Sequence, residues 1–149
     1  MRWQFTRSET IEILKPLTDE RLQFKPEGEK WQPMFHQFGC IGRTQLIYAK
    51  AAETGVMDFS LFGSSEITSK DLNQTVGGIL AFLEDANSAW IAALRQNKAG
   101  VQWPDDNKRI ELHITSLAEH ERLHHGQLIS YFTFAGMELP IAFKNNWAL

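Results

Sequence analysis

Apolar side chains recur every three or four positions along most of the chain, and the intervals between these stretches are rich in glycine, proline, serine and charge. Four helical segments follow from that spacing. In the first, Ile11 and Leu14 share a stripe with Ile13 and Leu17 close by. Thr6 and Glu9 stand at capping-box spacing, and Pro16 ends or bends the helix near Lys15. The turn-forming FKPEGEK leads into a longer helix from Trp31 to about Glu53, with Pro33 tolerated in its first turn. TGVMDFSLFGSSEI then reads as a long connection, and Thr68 with Asp71 offers a cap for the third helix. There Leu72, Val76, Ile79, Leu83, Ala86, Trp90 and Ala93 repeat with bundle spacing. Gly77 and Gly78 each cost that helix about 1 kcal/mol relative to alanine, for which close helix approach is the expected compensation. After AGVQWPDDNK, the fourth helix runs from Arg109 to Ala135, with Gly136 as its stop and Pro140 beyond. The tail LPIAFKNNWAL is apolar enough to pack back on the helices. No stretch alternates like a strand, so the expected fold is all-α: a four-helix bundle with a long connection between its second and third helices.

A length of 149 residues suits one domain over 1–149, with 43% hydrophobic and 22% charged residues, as in ordinary globular chains. Lysines and arginines are scattered and the net charge is -3, which argues against a nucleic-acid partner. No apolar run approaches the roughly 18 residues of a membrane span, and MRWQFTRSET has no secretory pattern, so a cytoplasmic protein without membrane contact is expected. The apolar stretch from Val56 to Phe62 and the aromatic tail offer more hydrophobic surface than one small bundle readily hides, and predict a homodimer.

Chemistry concentrates in the fourth helix, where four of the 5 histidines lie in HITSLAEHERLHHGQLISY. His113, Leu117, His120, His124, Gln127 and Tyr131 fall on one stripe. His120 and His124 are one turn apart, the separation at which two neutral imidazoles bind one divalent ion. Their apolar neighbours Leu117, Leu128 and Tyr131 turn them inward. The competing reading, a hydrogen-bonded polar layer of core histidines, is less economical for an inward pair than for one histidine. His113 lies about two turns earlier and suits a pocket role or simple packing; His125 points about 100° away from His124 and is not expected to ligate. A third ligand must come from elsewhere, and the second helix offers His36 and Cys40, also one turn apart. Cys40 as a packed apolar group, and His36 as a hydrogen-bonded or exposed imidazole, are the alternatives.

His120-Glu121-Arg122-Leu123-His124 also matches HExxH, the zinc-protease helix in which the glutamate is general base. No histidine follows His125 and no strand accompanies the motif, so protease is a minor alternative.

HERLHHGQL resembles the HxxxH-(R)-GQ signature of the DinB and YfiT-like superfamily, with His125 in the usual arginine place. The likeness continues weakly through the KW before the second helix, FGCIGRTQLIYAKA within it, and the aromatic tail. That resemblance implies an up-down-down-up four-helix bundle whose divalent metal, often zinc or nickel, is held by one histidine of the second helix and a pair on the last. Here the pair is His120 and His124. Cys40 takes the usual place of the other histidine and His36 lies one turn earlier. A Cys/His/His site, a shifted three-histidine site and a degraded site without metal all stay open. Relatives include transferases and an isomerase that use low-molecular-weight thiols, which implies a metal-dependent thiol S-transferase or hydrolase acting on a small molecule. Gln127 would then orient ligands or substrate, Tyr131 and His113 would line the pocket, and Arg43 would meet either an anionic substrate group or a surface carboxylate. The rival class is a non-enzymatic small-molecule-binding or stress-response bundle with a structural or lost metal.

Overall fold

The computed structural model describes residues 2–63, 72–97 and 99–147. Its elements are α1 (Arg2–Leu14), the short α2 (Asp19–Leu22), α3 (Phe35–Thr54), a 3-10 turn at Phe59–Gly63, α4 (Val76–Gln96), β1 (Val101–Gln102), β2 (Asn107–Lys108), α5 (Ile110–Phe134) and α6 (Ile141–Trp147). The four long helices α1, α3, α4 and α5 form the bundle.

Paired residues give their directions. Arg7 and Thr10 of α1 meet Glu121 and His125 of α5 in the same order, so these helices are parallel. Gln37, Thr44 and Tyr48 of α3 meet His124, His120 and His113 of α5 in reverse order, so this pair is antiparallel. Gly42 faces Phe82, and Ala52 lies near Asn97 just past α4, so α3 and α4 run parallel. The order is up-down-down-up. Two consecutive parallel helices oblige the chain to return along the 20 residues of α3, about 30 Å, which is why the connection over 55–75 must be long. A small antiparallel ribbon, Val101 with Lys108 and Gln102 with Asn107, closes the AGVQWPDDNK connector. Its first strand also pairs with Val56, through Met57 N to Gln102 O and Gln102 N to Gly55 O, both 2.8 Å. Two-residue strands are too short to show as an alternating pattern, so this ribbon was not foreseen.

Local details shift several expected boundaries. Thr6 and Glu9 are buried inside α1 instead of capping it, because the helix already starts at Arg2. Helix α3 begins four residues later than Trp31, after Pro33. Thr75 caps α4, its hydroxyl accepting from Gly78 N at 3.0 Å; Thr68 and Asp71 lie outside the described residues. Gly77 and Gly78 therefore occupy the first turn of α4. Gly77 has no neighbour a Cβ would meet, and at Gly78 a Cβ would collide with Asn73. The close helix approach occurs instead at Gly42, where a Cβ would overlap the Phe82 ring. Gly136, at φ 61°, follows α5 in the left-handed conformation expected of its stop residue. Phe143 of α6 is buried against the bundle, as the apolar tail required.

The core divides in two. Leu14, Leu22, Phe38, Ile79, Leu83, Leu128 and Phe143 belong to one apolar cluster; Trp3, Ile47, Ala52, Trp90, Ala93 and Leu117 belong to the other. Between Leu117 and Leu128, α5 carries a polar layer that faces α3 on one side and α1 on the other.

Candidate metal centre

Helical periodicity places Gln37, Cys40 and Thr44 on the face of α3 opposite His120 and His124 of α5. One ligand atom from each of Cys40, His120 and His124 lies within 4.8 Å of the other two. His120 Nε2 is 3.3 Å from His124 Nε2 and 3.9 Å from Cys40 Sγ. Tetrahedral coordination with zinc-like bond lengths needs about 3.3 Å between two nitrogens and about 3.6 Å between nitrogen and sulfur. The donor set and its spacing fit a divalent ion.

Hydrogen bonding fixes which nitrogen of His124 is available. Tyr131 Oη donates to the Gln32 carbonyl at 2.6 Å, Gln37 Nε2 donates to Tyr131 Oη at 3.3 Å, and Gln37 Oε1 therefore faces His124 Nδ1 at 2.6 Å. Since Gln37 Oε1 can only accept, Nδ1 carries the proton and Nε2 presents its lone pair to the centre. Around His120 Nε2 crowd His124 Nε2, Cys40 Sγ and, at 3.3 Å, Thr44 Oγ1. One nitrogen of a neutral imidazole cannot satisfy three neighbours, whereas a cation between the three ligands gives each of them a partner.

Electrostatics favour the neutral imidazoles that coordination requires. Burial, reinforced by the neighbouring His120, pushes His124 down to about 4. His120 is also lowered, first by burial; Glu121 opposes the shift and Arg43 adds to it. His36 is lowered by burial and then by Arg43, but it stands beside the Phe35 ring and outside the three-ligand group. Of the two candidates on α3, Cys40 is the one brought to the histidine pair.

The other expected residues separate. Tyr131 joins the relay behind His124. Gln127 is exposed and supports the protonated form of His124 by a hydrogen bond. His113 is fully buried in an aromatic cage, stacked on Tyr48 at 4.5 Å, its Nε2 3.0 Å from the Tyr48 carbonyl and its Nδ1 accepting from Trp103 Nε1 at 3.4 Å. It is committed to packing. His125 turns to α1, as its 100° offset implied, with Nε2 2.7 Å from Thr10 Oγ1. Thr10 also donates to Glu121, which takes two hydrogen bonds from Arg7, at 2.9 and 3.1 Å. Glu121 is the glutamate of the HExxH match, and it is buried against α1, paired with a guanidinium and turned away from the histidine pair. A general base for peptide hydrolysis is thus missing from the place that motif requires, and the protease reading falls.

Sequence reasoning missed Gln37 and the role of Thr44. A polar residue three positions before Cys40, on the helical face that also carries Thr44, was the available signal for Gln37.

The family model for the DinB superfamily matches residues 2–128. A DinB-like protein from Bacillus cereus ATCC 10987 has a similar structure, with a TM-score of 0.71 at 17% identity over 93% of this chain and 91% of that one. A DinB-like protein from Bacillus subtilis is similar with a TM-score of 0.68, also at 17% identity, over 93% of each chain. No curated protein matches significantly in sequence.

Proposed function

The chain belongs to the DinB superfamily, and from that premise we propose that Cys40, His120 and His124 hold one divalent metal ion, zinc or nickel, for thiol transfer or hydrolysis on a small molecule. The observation that carries this reading is the convergence of three ligand atoms from two helices within 4.8 Å, backed by a relay that fixes the His124 tautomer. Three protein ligands leave a coordination position for a thiol or water, and catalytic zinc sites are built this way. Bound there, the ion supplies Lewis acidity that lowers the pKa of such a group and prepares it as a nucleophile.

The protein's own residues do the rest. On a bound divalent ion Cys40 would serve as a thiolate, so the ligand set would set one negative charge against two positive. Gln37 and Tyr131 keep His124 from turning its N–H toward the centre. The Thr44 hydroxyl, 3.3 Å from His120 Nε2, would offer a hydrogen bond to a small molecule held beside the three ligands. Burial of His124 and the half-burial of Cys40 and His120 limit water on the α3–α5 side. The reading extends to a homodimer, supported by the exposed Val56 and Phe59 of the long connection, and to a soluble cytoplasmic setting; no helix among the described residues is long and apolar enough to cross a membrane.

Elemental analysis of the purified protein tests the proposal. About one equivalent of metal per chain is expected in the wild type and in His36→Ala, and a loss in Cys40→Ala and His120→Ala. A metal-loaded protein should then show chelator-sensitive transfer of cysteine to an aromatic halide. Absence of metal after reconstitution with zinc, nickel and manganese would defeat the reading, and metal without turnover in a broad thiol and ester screen would move it to the binding-protein class.

A further inference from the structure

Arg43 sits on α3 three residues after Cys40, and its Nη2 donates to Cys40 Sγ at 3.9 Å. Long side chains on a helix lean toward its N-terminus, which carries this guanidinium back along α3 toward Cys40 and His36. Its contact with Cys40, a member of the three-ligand group, places the half-buried side chain beside the candidate centre. Among the described residues Arg43 forms no ion pair with a carboxylate, and its Nε is buried without a hydrogen-bond partner. Glu121 is taken by Arg7, and exposed Glu119 forms no ion pair with Arg43. The expected surface carboxylate for Arg43 is absent from the described residues.

We propose that Arg43 is the anion-recognising residue of this centre, and that the small molecule bound there carries a carboxylate or similar anionic group close to its thiol or reacting atom. The proposal rests on the metal-centre reading and adds a substrate class to it. The charges support it: a divalent ion with one thiolate and two neutral imidazoles would leave one positive charge, and the guanidinium would make two, while no carboxylate among the described residues is paired with Arg43. A ligand that meets the ion through one atom and Arg43 through a carboxylate supplies that balance. It also gives the buried Nε–H a partner, in the planar geometry guanidinium and carboxylate share.

The test uses the full-length protein loaded with cobalt, whose visible absorption changes when a thiol enters the coordination sphere. Mercaptoacetate and its methyl ester are titrated into the wild type, Arg43→Gln and Arg43→Lys. Because the two thiols differ in intrinsic basicity, the quantity read is the ratio of their dissociation constants in each protein. The wild-type ratio should favour mercaptoacetate by about tenfold or more relative to Arg43→Gln, with Arg43→Lys between them. Acetate added to the ester titration should not reproduce the gain, since the tether supplies the effective concentration. Equal ratios in wild type and Arg43→Gln, with both proteins binding one cobalt, would overturn the anion assignment while leaving the metal centre standing. Acetate that binds as well as the tethered carboxylate would overturn the assignment of the anion to the substrate itself. Failure of the wild type to bind cobalt at one per chain would bring down the metal reading, and this inference with it.

Discussion

Gln37→Leu removes the acceptor that holds His124 in its metal-ready tautomer while keeping the volume of the side chain nearly constant. In the wild type the 2.6 Å contact from His124 Nδ1 to Gln37 Oε1 lies in a part-buried setting, and Tyr131 keeps its own 2.6 Å bond to the Gln32 carbonyl after the change. The substitution therefore strands one group, His124 Nδ1–H, and frees the ring to present either nitrogen. Loss of such an outer partner costs tenfold to a hundredfold in metal affinity, about 1.5 to 3 kcal/mol. Tyr131→Phe leaves the Gln37 to His124 bond intact and should cost about a tenth as much in affinity ratio or less. Competition with a chromophoric chelator for zinc at pH 7.5 measures all three affinities, and apo-protein thermal melts establish that the variants fold. Zinc affinity of Gln37→Leu within twofold of wild type would refute the relay as the device that orients His124.

Other outcomes follow from the polar layer and the packing. Burial holds His125 down to about 4 against an ordinary 6.5, so the unfolded chain takes up its proton first as pH falls. Its contribution is complete above about pH 6.5 and lost progressively toward about pH 4, at most about 3 kcal/mol. Urea midpoints measured between pH 8 and pH 4.5 should fall, and His125→Gln should flatten that slope. Arg7→Met leaves Glu121 charged and buried without its partner and should destabilise by about 3 to 5 kcal/mol, whereas Arg7→Met with Glu121→Leu should recover most of the loss; chemical denaturation decides. Gly42→Ala forces a Cβ into the Phe82 ring and should cost about 1 to 3 kcal/mol, partly restored by Phe82→Leu, in a thermal melt with paired variants. Light scattering during size-exclusion chromatography should give twice the chain mass, and Phe59→Ser should shift it toward the monomer.

Much of this molecule was legible in its residues because helical periodicity is a local signal. Leu83, Ala86, Trp90 and Ala93 announced α4, and Gly136 announced the end of α5, since each acts through neighbours a few positions away. The pairing of His120 with His124 was readable for the same reason. The choice between His36 and Cys40 was not, because a face of α3 wide enough to hold both narrows only when α5 is docked at a particular height. Glu121 shows the same limit. Its place in an HExxH string says nothing of Arg7, more than a hundred positions earlier, and it is that partner which turns the carboxylate away from the histidines. Thr6 and Glu9 failed as a cap because a polar pair at capping-box spacing is also what a helix interior uses to line a buried polar layer.

The up-down-down-up path has a thermodynamic side. His120 and His124 remain four residues apart in any conformation of the chain, but Cys40 and His120 are 80 positions apart and meet only when α3 docks on α5. Closing so long a loop in a disordered chain is entropically unfavourable, by roughly (3/2)RT ln n beyond a constant, so an unfolded polypeptide offers an ion two ligands in place of three. The ion on the proposed site would discriminate between folded and unfolded chains by the affinity of that third ligand. Occupancy would act as a clasp across the topology, raising the melting temperature with metal concentration and slowing the separation of α3 from α5, which the backbone joins only by way of α4.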